Sequence, residues 1–389
     1  MSLKQFTKTD FQRQWLKRLQ AERENFAEHA DYNDRNTSFP HRNVQTLVDM
    51  GYTTLTLPKE YGGGGITATS HALFQEMIGS MDGATALAIG WHQAIVGEIY
   101  TTRLWTEEQL SSFAEELKNG ALVNRAMSEA RTGSPARGGR PGTTAVRSGE
   151  GWKISGRKIF TTMSPALTHF LVSAWIEETE TIGSFLIPAD LEGVSIDETW
   201  DVVGMRASES HDLVLEDVYV EDAALVEPTP PEYKGVVNPW ALHTPACYLG
   251  IARAARDFAV EFSLNHKPNS IDTTISELPN VREHIAQMEW RLQSARNTLY
   301  NVAAMCDDDR RDSITTELAT AKHIVTNLAV EIVDRAMRLV GGSSLQMKSP
   351  LQRYYRDVRA GLHNPPMDDM VMMQLAAKAL EKHDKVDEY

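Results

Sequence analysis

Two short stretches near the middle of the chain carry residue types that suit an aromatic cofactor. Residues 127–134 read as an apolar strand that breaks into a small, polar loop containing Gly133 and Ser134. Such a loop offers backbone N–H groups and hydroxyls to an anion such as a pyrophosphate. Residues 158–162 read as a strand that ends in an aromatic residue and two threonines, which suits a flat ring edged with hydrogen-bonding atoms. Together the two stretches predict a dinucleotide cofactor with an aromatic headgroup.

The elements that must position these stretches change type twice along the chain. Apolar residues follow helical spacing before residue 120, strand-like patterns fill residues 123–220, and long helices are predicted at 240–264, 280–306, 314–339 and 367–383. No helix-length segment interrupts the strands, which favours an antiparallel or mixed sheet. No G-x-G-x-x-G sequence follows a strand and opens a helix, which argues against a Rossmann fold.

This order predicts an α+β protein, mostly α, with three domains. They are a helical domain at residues 1–120, a small antiparallel β domain at 121–226 and a four-helix bundle at 227–389. A length of 389 residues agrees with several subdomains, because a single core rarely keeps growing to that size.

Composition excludes several classes of function. A net charge of −14 argues against a nucleic-acid or anionic-membrane surface. Cys247 and Cys306 are too few for a disulfide framework or a four-cysteine zinc site, and both fall in helical patterns. The amino terminus lacks the apolar region of a signal peptide, and no run of about 18 apolar residues is present to span a bilayer. We therefore expect a cytoplasmic protein without a membrane partner and without a metal site.

Six short motifs, in this order, resemble those of the acyl-CoA dehydrogenase superfamily. Residues 57–63 match its P-x-x-Y-G-G element, 128–134 its T-E-P-x-A-G-S flavin loop, 158–162 its K-x-W-I-T, 204–208 with 216–218 its G-M-R-x-S and E-D-V, 341–342 its G-G, and 356–357 its R-D. Ala130 stands where proline is usual and Phe160 where tryptophan is usual. The resemblance covers nearly the whole chain and implies the same fold and a bound FAD.

The resemblance also implies roles for individual residues. Met127 and Ser128 would lie along the flavin ring, Gly133 and Ser134 would bind the pyrophosphate, Phe160 would cover one ring face, and Thr161 and Thr162 would approach the ring near N5, the hydride acceptor. Arg338, Gly341 and Gly342 would reach the adenosine part of a flavin held by a neighbouring subunit, since family members are usually tetramers. Taken singly, each serine or threonine is more often an ordinary turn or strand residue; only the set favours flavin binding. The G-M-R element is interpreted as a structural turn.

The chain departs from the family at the catalytic base. A dehydrogenase of this family needs a carboxylate to remove the α-proton of an acyl thioester while hydride leaves for the flavin. Where the family's glutamate stands beyond the R-D motif, this chain has Pro365, and at the alternative position early in the first bundle helix it has Trp240. The arginine that contacts the FAD phosphates in the family is also missing; Lys267 is the nearest substitute, which leaves FMN open as an alternative to FAD.

Three residues remain as catalytic candidates. His363 resembles a histidine at a similar place in the flavin monooxygenases that share this fold, such as the dibenzothiophene monooxygenase group, and an imidazole suits proton transfer to or from a flavin peroxide. His92 could line the same pocket, and Asp368 could serve as a displaced base. Each has a structural alternative: His363 as a residue that holds a bent backbone, His92 as a core histidine, and Asp368 as an acid in the first turn of a helix.

Two reactions follow from these residues. The leading hypothesis is a homotetrameric, FAD-dependent oxidoreductase that takes hydride from an acyl thioester and passes electrons to an electron-transfer flavoprotein. The alternative is a two-component monooxygenase that takes reduced flavin from a flavin reductase and uses O₂. A flavin or acyl-CoA binder without catalytic activity is the third hypothesis.

Overall fold

The amino-terminal third of the chain is helical. The computed structural model describes residues 3–131, 139–228, 238–308 and 314–384. Its first helices are α1 (Asp10–Ala21), α2 (Arg23–Glu28), α3 (Ala30–Asn36), α4 (His41–Asp49), α5 (Ala68–Gly79), α6 (Gly83–Thr102) and α7 (Glu107–Lys118). Thr106 caps α7, because its hydroxyl accepts a hydrogen bond from the backbone N–H of Gln109. The helical stretch at residues 10–36 is divided into three helices, because the backbone leaves helical geometry at Glu22 and His29.

A single sheet follows these helices. Its strands are β1 (Val123–Ala126), β2 (Thr144–Ser148), β3 (Gly151–Lys158), β4 (His169–Ile176), β5 (Thr181–Pro188), β6 (Val194–Asp197), β7 (Asp212–Glu221) and β8 (Leu225–Glu227). The order is β6-β7-β3-β2-β4-β5-β8, with β1 beside β4. Most neighbouring strands pair antiparallel, and the sheet is mixed, because β4 runs parallel to both β1 and β2. Crossing connections place these strands side by side in the same direction, while the hairpins stay antiparallel.

Long helices return after the sheet. They are α8 (His243–Asn265), α9 (Pro279–Asp307), α10 (Thr315–Val340), α11 (Pro350–Val358) and α12 (Asp368–Asp384). Four of these five match the helices predicted for the bundle to within three residues at either end. The prediction of an α+β, mostly helical fold with the sheet between two helical parts is confirmed. The exact domain boundaries stay predictions.

Glycines allow two central helices, α5 and α8, to approach each other closely. Gly79 of α5 lies against the backbone of Cys247 in α8, and Gly250 of α8 lies against the backbone of α5 at Glu76. Nearly every residue of α5 and α6 is buried, so these helices form the centre of the helical core. Among the described helices, none is both long and apolar enough to cross a membrane.

Candidate functional site

A short segment after β3, residues 160–162, carries the aromatic residue and the two threonines, and we call it the ledge. Phe160 is 61% exposed, has a left-handed φ of 58° and meets Trp200 edge-on at 5.9 Å between ring centroids. Thr161 and Thr162 are buried behind it. The Thr161 hydroxyl has no hydrogen-bond partner among the described residues. An exposed aromatic face beside an unpartnered hydroxyl fits a flat, polar-edged ring such as a flavin.

The ledge is hydrogen-bonded along its length to the loop that precedes β7. Ser210 Oγ donates to Thr162 Oγ1 at 2.9 Å, and Ser208 Oγ lies 3.0 Å from Ser210 Oγ. The backbone N–H groups of Thr161 and Met163 donate to carbonyls of the same loop. The G-M-R element and the residues after it therefore do more than form a turn, because they fix the ledge. Sequence analysis missed Ser208 and Ser210; their position directly after the G-M-R element was the available signal.

The end of β1 lies beside the ledge, so the two stretches singled out in the sequence do meet. The backbone N–H of Ile159 donates to the carbonyl of Ser128 at 2.8 Å, and Asn124 Nδ2 donates to the carbonyl of Thr162 at 3.0 Å. Met127 and Ser128 are half-buried next to this junction. Gly133 and Ser134 lie outside the described residues, so their predicted contact with a pyrophosphate stays a prediction.

A buried ion pair joins these two stretches. Glu129 Oε1 lies 2.6 Å from Lys158 Nζ and accepts from the Thr143 hydroxyl at 2.8 Å, while Gly142 N donates to Oε2 at 2.6 Å. Burial alone would raise the pKa of Glu129, but Lys158 and the other donors outweigh it and lower the pKa to about 2. Both residues stand in the flavin-loop and K-x-W-I-T motifs, and sequence analysis gave neither a role.

The R-D motif joins the sheet to the helices. Asp357 Oδ1 accepts from the backbone N–H of Met205 at 2.6 Å, and Arg356 Nη1 donates to Asp34 of α3 at 2.9 Å. A Cβ on Gly204 would lie 2.2 Å from the Arg356 carbonyl, so the contact needs glycine. Burial raises the pKa of Asp357 to about 7, against the opposing effect of Arg353. The motif therefore positions the loop that holds the ledge.

Two of the three catalytic candidates are engaged in structural contacts. His92 is fully buried: Nδ1 accepts from the Val123 backbone N–H at 3.1 Å, which leaves Nε2–H to donate to the Thr53 carbonyl at 3.0 Å. Burial lowers the pKa of His92 to about 4. Asp368 opens α12 and contacts His323 Nδ1 at 2.9 Å and Asn327 Nδ2 at 3.0 Å. Burial would raise the pKa of Asp368, but these donors lower it overall. Both environments favour the structural alternatives.

The third candidate, His363, has an exposed side chain in the turn after α11. Its backbone N–H donates to the Ala360 carbonyl at 3.0 Å. The turn is anchored to α8, because Tyr248 Oη donates to Asn364 Oδ1 at 2.5 Å. The imidazole is thus free to meet a substrate, and its catalytic role stays a prediction.

Neither position of the family's glutamate offers a carboxylate or another base. Trp240 lies just before α8, and its indole N–H donates to Thr101 Oγ1 at 3.2 Å. Its ring lies on Gly97 of α6, where a Cβ would come within 2.5 Å of it. Pro365 is exposed and joined to Pro366 by a cis peptide bond.

The remaining predicted cofactor residues stand at the end of α10. Arg338 is exposed and pairs with Asp334 at 2.7 Å. Gly341 and Gly342 are exposed, with open space where a side chain would be. Separately, a surface cavity of about 470 Å³ lies between α4 and the start of β1, lined in part by Val48, Leu122 and Thr168. None of the predicted site residues lines that cavity.

Comparison with known proteins gives the same family over the whole chain. Residues 9–121, 124–218 and 237–362 match the N-terminal, middle and C-terminal domains of acyl-CoA dehydrogenase. YdbM of Bacillus subtilis (strain 168), which is named as an acyl-CoA dehydrogenase, is 50% identical over 377 residues, or 97% of this chain and 99% of YdbM. L-evernosamine nitrososynthase of a Micromonospora species is 30% identical over 86% of this chain and 82% of its own. The structure of KijD3 in complex with FMN and a dTDP-linked amino-keto sugar covers 96% of this chain and 95% of its own, at 27% identity and a TM-score of 0.85.

Proposed function

The chain belongs to the acyl-CoA dehydrogenase family of flavin-dependent oxidoreductases, and from that premise we propose that it is an oxygenating member rather than a thioester dehydrogenase. The observation that carries this proposal is the loss of the base at both family positions. Trp240 and Pro365 can neither accept a proton nor replace a carboxylate. Asp368, the displaced carboxylate, is held by His323 and Asn327 and has a lowered pKa.

The ledge residues fit the proposed flavin. Phe160 would cover one face of the ring, and Thr162, whose hydroxyl oxygen already accepts from Ser210, would donate its proton to the ring edge. When bound in reduced form, the flavin would supply two electrons that, with two protons, convert one atom of O₂ to water while the other atom is placed on a substrate. His363 would give or take a proton near the substrate. FAD is the family's cofactor, and FMN, which KijD3 binds, is the alternative. Lys267 at the position of the family's phosphate-binding arginine leaves both open.

Assembly follows the family pattern in this proposal. Arg338, Gly341 and Gly342 would contact the adenosine part of a neighbouring subunit's flavin in a homotetramer. Leu345, 71% exposed, and Met347 lie next to these glycines. An exposed apolar patch there supports a subunit contact. A flavin reductase would be the redox partner, and a cytoplasmic location stays a prediction.

Hydride transfer from an acyl thioester to the flavin is the second candidate. It is favoured by the 50% identity to YdbM, which is named as an acyl-CoA dehydrogenase, whereas the flavin-loop motif is compatible with either reaction. In that case an electron-transfer flavoprotein would be the partner, and a carboxylate outside the two family positions would have to act as the base.

The test of the proposal is an oxygenation assay. The protein is supplied with reduced FMN or FAD from a flavin reductase, with labelled O₂, and with a panel of phenols and nucleotide-linked amino sugars. We expect one labelled oxygen atom in a product, and a loss of turnover of about a hundredfold or more in His363→Ala with flavin binding unchanged. Label in no product would contradict the proposal, and full turnover in His363→Ala would return that residue to a structural role.

A further inference from the structure

Two histidines are buried together where α5, α6 and α8 meet. His71 of α5 and His243, the first residue of α8, are both fully buried, with 6.4 Å between their ring centroids. Nδ1 and Nε2 of His71 and Nδ1 of His243 have no hydrogen-bond partner within the part of the chain that the structure describes. The remaining nitrogen, His243 Nε2, lies 3.2 Å from the hydroxyl of Thr244. Three unpartnered nitrogens therefore share one site.

Another histidine in the same core, His92, has hydrogen-bond partners for both of its ring nitrogens. It lies on neighbouring α6 and is equally buried, and both of its nitrogens contact backbone groups. A buried polar atom without a partner costs stability, and proteins keep few of them. An apolar side chain of similar size would fit the sites of His71 and His243 without that cost. Two buried imidazoles with three unpartnered nitrogens therefore point to a partner that is not part of this chain.

Two tryptophans pack against the pair, and one of them, Trp240, stands at a position of the family's catalytic base, which must lie beside the substrate. The ring of Trp91 lies 4.6 Å from that of His243, and the ring of Trp240 lies 5.8 Å from that of His71. A Cβ on Gly90 would come within 2.6 Å of His243 Nδ1, so this position of α6 must be glycine for the imidazole to fit. Trp91 is half-buried, whereas most other residues of α6 are fully buried. Part of its side chain is therefore accessible to solvent.

Burial also fixes the charge of the pair. It lowers the pKa of His71 to about 3 and the pKa of His243 well below its usual value, the latter with help from His71. Each imidazole is therefore neutral near pH 7 and offers one N–H donor and one nitrogen acceptor. A charged group would have to lose its hydration to enter, whereas a hydroxyl can both donate to one ring and accept from the other.

We propose that His71 and His243 form a recognition site for an uncharged hydroxyl group of the substrate. The site rests on the proposed function, because Trp240 stands where the family holds its base beside the substrate. We therefore take the space next to Trp240 and Trp91 as the substrate cleft. Since the three nitrogens are closed off from solvent here, the hydroxyl reaches them when Trp91 turns aside. A saturated hydrocarbon tail cannot form hydrogen bonds with these nitrogens, so the site selects hydroxylated substrates over plain acyl chains.

The first arm of the test needs no ligand. His71→Leu and His243→Leu remove unpartnered nitrogens, whereas the matched control His92→Leu removes two formed hydrogen bonds. We expect the melting temperature of the full-length, flavin-loaded protein to rise by about 2 °C or more in the first two variants and to fall in the control. A fall in His71→Leu and His243→Leu equal to that in His92→Leu would overturn the inference, because both imidazoles would then be structural.

The second arm uses phenol and benzene, which differ by one hydroxyl. We expect phenol to bind the flavin-loaded protein roughly tenfold more tightly than benzene, seen as a larger rise in melting temperature at equal concentration. This preference should disappear in His71→Leu and in His243→Leu and persist in His92→Leu. Equal shifts with both probes, or no shift with either, would overturn the inference. Because no turnover is measured, these results are independent of the oxygenation assay.

Discussion

At the scale of single residues, the orientation of the Thr162 hydroxyl depends on its neighbour. Ser210 Oγ donates to Thr162 Oγ1 at 2.9 Å, and both side chains are buried. A hydroxyl whose oxygen already accepts a hydrogen bond directs its own proton elsewhere. In the proposed complex, that proton points to the edge of the flavin. We therefore propose that Ser210 is a positioning residue for the cofactor.

Ser210→Ala should weaken flavin binding and lower the flavin's reduction potential. Without Ser210, the Thr162 hydroxyl can rotate, and a hydrogen bond of this kind contributes about 0.5–1.5 kcal/mol, or up to roughly tenfold in affinity. Fluorescence titration measures the affinity, and spectroelectrochemistry measures the potential. Ser164→Ala is the control, because Ser164 Oγ donates to the Glu209 carbonyl at 2.9 Å on the same loop. An unchanged potential in Ser210→Ala, or an equal change in the control, would contradict this role.

Much of the candidate site could be predicted from the sequence, and the limit has a physical cause. Phe160 and Thr162 stand out because their types and order suit a ring. Ser210 does not, because its place after the G-M-R element does not reveal that its side chain will contact a residue 48 positions away. His92 and Asp368 attract notice as titratable groups, but only the fold reveals that their polar atoms are already used.

At the scale of elements, α6 presents a glycine face to the start of α8. Gly90 and Gly97 are seven residues apart and so lie on one face of the helix. Gly90 admits His243 and Gly97 admits Trp240. These close contacts bring α6 against the start of α8, beside the proposed hydroxyl site.

Gly97→Ala should destabilise the protein. The added Cβ would lie 2.5 Å from the Trp240 ring, inside the contact distance of real side chains. The helices or the indole must shift, at a cost of about 1–3 kcal/mol in the free energy of unfolding. Urea denaturation measures this loss. In the control, Gly342→Ala, the new methyl meets open space, so we expect a change within about 0.5 kcal/mol. Equal stability of the two variants would show that the contact tolerates a larger residue.

The helices were predictable from periodicity, whereas the strand pairing was not. Apolar spacing identifies α8, α9, α10 and α12 because each buries one stripe of residues. The same spacing marks β1 and β4 as strands but does not say that they pair in parallel, about 45 residues apart. That pairing is set by the connections and by the helices on which the sheet packs.

At the scale of the whole molecule, buried titratable groups set the response to acid. Burial lowers the pKa of His71 to about 3 and of His92 to about 4, from an ordinary value of 6.5, and lowers that of His243 as well. As pH falls below 6.5, these histidines therefore take up protons in the unfolded chain before they do so in the folded chain. The free energy of unfolding falls as a result. Asp357 acts in the opposite direction, because its pKa rises to about 7 from 3.8 and its contribution weakens as pH rises. Three histidines outweigh this one carboxyl.

We therefore expect the free energy of unfolding to fall from about pH 6.5 towards pH 4. The slope should be about 1.4 kcal/mol per pH unit for each net proton taken up on unfolding. Urea denaturation across this range measures it, and His71→Leu should reduce the slope by one proton. The carboxylate of Glu129, with its pKa of about 2, loses its contribution only below pH 4.5. A flat profile from pH 6.5 to pH 4.5 would contradict the neutral, buried state of these histidines.

The most direct test of the oxygenating function is an anaerobic titration of the flavin-loaded protein with a panel of acyl-CoAs of different chain lengths. The absorbance of the oxidised flavin is monitored during the titration. With Trp240 and Pro365 at the positions of the family's base, we expect the flavin to bind and its absorbance to stay unchanged with every thioester. Bleaching by any of them would contradict the oxygenating function and establish a dehydrogenase. A protein that binds neither FAD nor FMN would contradict the flavin site itself.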